Sequence, residues 1–314
     1  MLKRKNDEKI KRSGRQSWQM VVILGGAGAL LTMIIGFFWL LTTDSQALQA
    51  DFAYTTRCGI QFYDMDTETV VGQFPGDECL SIHQYDFSPD GTRVVYTNDM
   101  AQVTIADLST GEQDIIPIDE ASAVAWSPDG SRIAIWSYLY LPSGQTLVTY
   151  DVDSGEITDY GTFSVRYTSL SWSPNSQEVL FAIDHYDDVE LVHYNLSTQE
   201  LTQLTDDEHL NQYPVWTGTT ALFSRLDATT IRDSLWRIHI ATGEQEKLFD
   251  ARTVQASVSP SGAYATLMMT NDDGYPAVYL LDLETLEQRQ TTPHEPEPYV
   301  TRWLPTADYG TESN

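Results

Sequence analysis

Ten side chains between residues 184 and 273 carry the densest acid, base and metal-ligand chemistry in this chain of 314 residues. They are Asp184, His185, Asp187, Asp188, Asp206, Asp207, His209, Asp227, Asp272 and Asp273. Carboxylates grouped this way suit one of two tasks. Hard cations such as calcium want about six to eight oxygen ligands, and Asp184, Asp187, Asp188, Asp272 and Asp273 offer several. Their spacing matches no dedicated calcium loop, however, so the reading adopted is solvated carboxylates that recognise a partner by charge. No cofactor is expected, and a divalent cation is the alternative. The six histidines, at 83, 185, 193, 209, 239 and 294, are scattered. His193 and His239 fall in or at the end of strand-like runs and read as packing or turn contacts. His185 and His209 sit among the acids and would be the first candidates if the chain were an enzyme. There is no Gly-x-Ser-x-Gly elbow, His-Glu-x-x-His pair, Cys-x-x-Cys pair or phosphate-binding glycine loop.

The charge distribution limits the partners. Residues 1–19 hold seven of the 18 Lys and Arg against Asp7 and Glu8, leaving 11 basic and 43 acidic residues beyond them. Nucleic acid and anionic lipid need clustered cations and are excluded as partners of that long acidic part. Between the two regimes, Met20 to Thr42 is 23 residues without an ionisable side chain. As a helix it spans about 34 Å, enough to cross a bilayer. The cations before it predict a cytoplasmic N-terminus, with Trp18 and Trp39 near the interfaces. The run is longer than an ordinary signal-peptide core. Expected segments are a basic cytoplasmic tail (1–19), a transmembrane helix (20–42), a tether (43–51), a folded domain (52–304) and a C-terminal tail (305–314). The chain would then sit in the cell membrane as a single-pass protein with its folded domain extracytoplasmic. Cys58 and Cys79 lie on that oxidising side and are expected to form a disulfide.

The elements that must position these groups are set by a repeat. Phe87-Ser88-Pro89-Asp90-Gly91, Trp126-Ser127-Pro128-Asp129-Gly130 and Trp172-Ser173-Pro174-Asn175-Ser176 each precede an apolar strand, and weaker copies occur at Trp216, Val258 and Trp303. A second turn phrase begins at Asp64, Asp107, Asp151, Asn195, His239 and Asp282, at intervals of 43 or 44 residues. The second unit shows four strand-like runs: 123–126, 133–136, 147–150 and 157–160. Four antiparallel strands per period of about 43 residues is the pattern of a propeller blade. Phe52-Ala53-Tyr54 reads as a second strand lacking a first, and Tyr299 to Trp303 as a first strand lacking a second. Pairing them would complete a sixth blade and remove an open sheet edge. The expected fold is all-β: a six-bladed β-propeller of four-stranded blades closed by strands from both termini, preceded by one transmembrane α-helix.

These Trp-Ser-Pro-Asp-Gly, Ile-Ala-Ile and Asp-x-x-Thr-Gly-Glu phrases resemble the WD40-like repeats of the TolB-type six-bladed propeller family, over roughly residues 52 to 304. They are also similar to the propeller of the dipeptidyl peptidase IV family. No stretch of this sequence corresponds to the additional α/β domain of either relative. The resemblance implies a recognition module whose partners are held on one face or at the mouth of the central channel. Such propellers host many activities, so the fold alone does not fix one.

Strand order decides which face is free to vary. The Ser-Pro-Asp-Gly turns and the Thr-Gly-Glu turns lie at one end of each blade, here called the lower face. The second-to-third connections and the links between blades lie at the other, upper face, with all ten candidate side chains and both cysteines. Loops on a rigid scaffold are where binding residues concentrate. The expected function is a membrane-anchored extracytoplasmic scaffold that binds a protein or peptide of the cell envelope through its acidic upper loops, with the lower face toward the bilayer. The alternative is an exported hydrolase or lyase with residues converging on the channel.

Overall fold

The computed structural model describes residues 50–76, 79–138, 144–165, 169–185, 188–227, 232–250, 253–271, 273–292 and 300–307. The tail, apolar segment and most of the tether expected at 1–49 lie outside the described residues, as do Asp187, Asp272 and His294. Among the described residues no helix is long and apolar enough to cross a membrane. They form strands joined by turns, and hydrogen bonding divides the strands into five sheets.

Four of these sheets have four strands each. One runs through β4 (Ile82–Phe87), β5 (Arg93–Asn98), β6 (Val103–Asp107) and β7 (Gln113–Ile116). The next contains β8 (Ala121–Trp126), β9 (Arg132–Ser137), β10 (Gln145–Asp151) and β11 (Ile157–Phe163). A third contains β20 (Thr253–Val258), β21 (Tyr264–Thr270), β22 (Pro276–Asp282) and β23 (Gln288–Gln290). The fourth joins the two ends of the described chain: β24 (Thr301–Trp303) lies beside β1 (Phe52–Thr56), followed by β2 (Gly59–Asp64) and β3 (Thr69–Phe74). Its register pairs Phe52 with Trp303, Ala53 with Arg302 and Tyr54 with Thr301, the closure expected from the unmatched strands.

The expectation of six separate blades is corrected by the remaining strands, which form one sheet of eight. It contains β12 (Ser171–Trp172), β13 (Glu178–His185), β14 (Asp188–Asn195) and β15 (Leu201–Gln203), and β16 (Leu210–Thr217), β17 (Thr220–Asp227), β18 (Arg232–His239) and β19 (Gln245–Asp250). A single parallel bridge, Val189 to Leu210, joins β14 to β16. The cause is local. The Val189 amide donates to the His209 carbonyl at 3.1 Å, drawing the link after β15 against the start of β14.

The turn phrases behave as their composition dictates. Ser88 Oγ accepts the Arg93 amide at 2.9 Å, and Asp90 Oδ1 accepts the Thr92 amide at 3.0 Å. Gly91 takes a φ of 69°, which only glycine adopts without strain. Alternation along the strands buries a cluster of side chains in the gaps between sheets, as with Trp136 against Phe181 at 5.1 Å between ring centroids. Beyond the backbone, Arg93 lies over the Trp126 ring at 4.9 Å and Arg132 over the Trp172 ring at 5.1 Å, so the lower turns are clamped across sheet boundaries.

Candidate functional site

The upper end is assembled from hairpin tips and intersheet links. Asp184 and His185 end β13, and His185 stands in register with Asp188 at the start of β14. His185 is exposed, while Asp184 and Asp188 are half-buried. Asp227 is half-buried at the end of β17, opposite Arg232. Asp206 and Asp273 are exposed, and the Asp273 amide donates to Asn271 Oδ1 at 3.1 Å. His209 is half-buried and serves the sheet through its carbonyl. Among the described residues no group of three or more His, Cys, Asp or Glu is placed to hold a metal ion.

Asp207 is held for a structural reason. Arg225 Nη2 donates to Asp207 Oδ2 at 2.5 Å, and Arg225 Nε donates to Asn211 Oδ1 at 2.8 Å. Asn211 Nδ2 donates to the other Asp207 oxygen at 3.0 Å. Glu190, buried at 2% exposure, completes the network by accepting from the Thr205 hydroxyl and from the Asp207 amide at 2.9 Å. Arg225 also stacks on Trp236, 4.2 Å from its ring centroid. Burial pushes the Glu190 carboxyl above its ordinary range, while hydrogen bonds from Thr205 and Asp207 oppose the shift. Burial likewise lowers the Arg225 guanidinium, against the pull of Asp207 and Glu190. Sequence reasoning grouped Asp207 with the solvated acids because its buried partners, Glu190 and Arg225, lie 17 and 18 residues away.

The upper mouth of the channel holds a cavity of about 570 Å³, lined by Thr56, Arg57, Ser81, His83, Gln84 and Ser122 with Ile82 and Val300. The lining is mostly hydroxyl, amide and cation in an otherwise acidic surface. His83 Nε2 lies 2.7 Å from Asp99 Oδ1, and hydrogen bonds from His83 and Ser81 hold the Asp99 carboxyl below its ordinary range. Cys58, between β1 and β2, is bonded to Cys79, in the link from β3 to β4, as expected. This disulfide ties the loop carrying Arg57 to the strand entry carrying His83. Register shifts recur near the start of β4, β8 and β20 and midway along β16, where bulges bend the inner strands.

The lower end carries a feature that the repeat concealed. A cavity of about 370 Å³ is lined by the ends of β4, β8, β12, β16, β20 and β24 and by the prolines of the following turns. The residue before each repeat aromatic, or before Val258 in its place, lines it: Asp86, Ala125, Ser171, Val215, Ser257 and Arg302. Only Asp86 and Arg302 in that series are charged. Asp86 is half-buried, keeps 26% of its side-chain accessibility and lines this cavity. Burial raises its carboxyl above the ordinary range, opposed by Arg302 and by the amides of Trp126 and Phe87. The signal was present in the sequence as two unlike residues at one repeat position.

No family model matches the chain, and no curated protein matches it in sequence. Solved structures do match its fold. TolB from Acinetobacter baumannii superposes with a TM-score of 0.71 at 16% identity, over 82% of this chain and 67% of that one. A chain of a nidogen/laminin complex matches with a TM-score of 0.64 at 13% identity, over 81% and 98%. Oligogalacturonate lyase from Vibrio parahaemolyticus matches with a TM-score of 0.55 at 12% identity, over 80% and 78%. The described residues form an all-β propeller similar in fold to the matched part of TolB, as the repeat phrases implied.

Proposed function

We propose that this chain is a binding and scaffold module of the cell envelope, anchored by residues 20–42 and engaging a protein or peptide through its upper face. In this reading the eight-stranded sheet is two radial units joined at the Val189 to Leu210 bridge, so that six units surround the channel. The observation that carries the proposal is the division of labour between the two ends. Lower turns repeat the same hydrogen bond in four units: Ser88, Ser127, Ser173 and Ser259 Oγ each accept the amide five residues on. Upper segments differ from one another, surround a polar cavity of about 570 Å³ and are braced by the disulfide. Variable loops on a rigid frame suit recognition, and a partner with a basic surface complements the exposed Asp206 and Asp273.

Affinity capture from solubilised envelope with the full chain in detergent tests the reading. Wild type is compared with an Asp206→Lys, Asp272→Lys, Asp273→Lys variant at low and high salt. Capture of a partner that is salt-sensitive and lost in the variant supports the upper-face site. Capture unchanged by the variant, or lost with Asp151→Lys on the lower face in a folded protein, overturns it.

A further inference from the structure

The lower cavity lies at the opposite end from the upper loops, and its chemistry stands independently of that reading. Arg302 Nε and Asp86 Oδ1 are 4.0 Å apart, beyond hydrogen-bond distance. Each charge is instead fixed from behind. Arg302 Nη1 donates to the Thr301 carbonyl at 2.9 Å, while Asp86 accepts the Phe87 amide at 3.0 Å and the Trp126 amide at 2.8 Å. The pair therefore stays open, and both side chains line the same space. Arg302 retains 15% of its side-chain accessibility and Asp86 26%. The rest of the lining mixes apolar residues, Pro128, Val215 and Pro260 among them, with Ser127, Ser171 and Ser257.

A simple cation drawn to Asp86 would meet the Arg302 guanidinium about 4 Å away, and a simple anion drawn to Arg302 would meet Asp86. Like-charge approach at that range in a partly enclosed site is costly. A molecule with both charges on adjoining atoms satisfies both groups at once. The cavity of about 370 Å³ equals roughly a dozen water volumes of about 30 Å³ each, which admits a small amino acid and not a folded partner. We propose that the lower cavity binds a compact zwitterion of amino-acid size, its ammonium on Asp86, its carboxylate on Arg302 and its side chain against Val215 and the turn prolines. Partly enclosed charge-assisted hydrogen bonds of this kind give orientation as well as affinity.

The test is isothermal titration of the full chain in detergent with L-alanine and L-valine, with acetate and methylammonium as single-charge controls. Both amino acids are expected to bind and the controls to bind at least tenfold more weakly. Asp86→Asn keeps an acceptor for the Trp126 amide and Arg302→Gln keeps a donor, so both should fold. Each is expected to weaken the amino acids at least tenfold while the variant remains folded. Val215→Phe, which fills the apolar part of the lining without touching either charge, should weaken them too and serves if a charge variant does not fold. Absence of amino-acid binding to folded wild type, equal binding of acetate or methylammonium, or affinity unchanged in folded variants would overturn the proposal. Because the upper carboxylates are untouched, failure here leaves partner capture unaffected.

Discussion

Phe52 and Trp303 face one another across the pairing of β1 with β24, their ring centroids 6.1 Å apart and both side chains buried. One comes from the start of the domain and the other from its end, so a single aromatic contact lies on the seam that closes the ring. Tyr63 adds a second contact to Phe52 at 5.0 Å, and the Trp303 amide donates to Ser257 Oγ at 3.0 Å in the adjoining sheet. Replacing Trp303 with Ala should cost about 3–5 kcal/mol, the usual range for emptying a large aromatic site. Urea unfolding measures it. A loss below about 1 kcal/mol would mean that the seam contributes little to holding the domain closed.

The disulfide should contribute separately. Cys58 and Cys79 are separated by 21 residues, and a loop of that length contributes about 3 kcal/mol in the chain-entropy description. Cys58→Ser with Cys79→Ser should lower the thermal midpoint by several degrees. Dithiothreitol should do the same to wild type and nothing to the double variant. An unchanged midpoint would show that the upper rim holds its shape without the bond.

These two features show what was legible beforehand. The seam could be read because Phe52-Ala53-Tyr54 and Tyr299 to Trp303 each lacked a partner within a strict repeat, and the disulfide because only two cysteines occur. The eight-stranded sheet could not be read, since it depends on one backbone bridge at Val189 that no side-chain pattern encodes. The pairing of Asp207 could not be read for a related reason: loop acids look alike in sequence, and the buried Arg225 that bonds it at 2.5 Å is distant along the chain. Asp86 and Arg302 illustrate the reverse case. Their positions in the repeat were visible, but their adjacency needed the ring to close.

The lower turns make a prediction about acid. Asp107 Oδ1 accepts the amides of Ser109 and Thr110, each at 2.8 Å, and the Ser109 hydroxyl. These bonds, with that of the Ser109 hydroxyl first, lower its carboxyl to about 2. A carboxylate depressed in the folded state stabilises above its unfolded value of about 3.9 and loses that contribution as pH falls toward the folded value. Asp107→Ala should therefore destabilise at pH 5 and make no difference below pH 2. Thermal midpoints across that window decide it. A constant difference at every pH would assign the effect to the turn backbone and not to the charge.

Arg225 offers the sharpest pH test, because two carboxylates depend on it. Its guanidinium is buried at 8% exposure, bonded to Asp207 and within the field of Glu190. Arg225→Met keeps an apolar body beside Trp236 but leaves those acids without their cation, and breaking a buried pair in this way costs about 3–5 kcal/mol. Glu190 sets the direction with pH. Its carboxyl is raised in the folded protein, so its favourable contribution is complete below the unfolded value of about 4.3 and is lost as pH rises through the folded value. At pH 7 the variant holds buried negative charge with no counterion, whereas near pH 4 Glu190 takes up a proton and the conflict eases. The urea midpoint of Arg225→Met should fall well below wild type at pH 7 and approach it at pH 4. Adding Glu190→Gln should restore part of the loss at pH 7. A penalty independent of pH, with no rescue from Glu190→Gln, would show that Arg225 acts by packing on Trp236 and not by its charge.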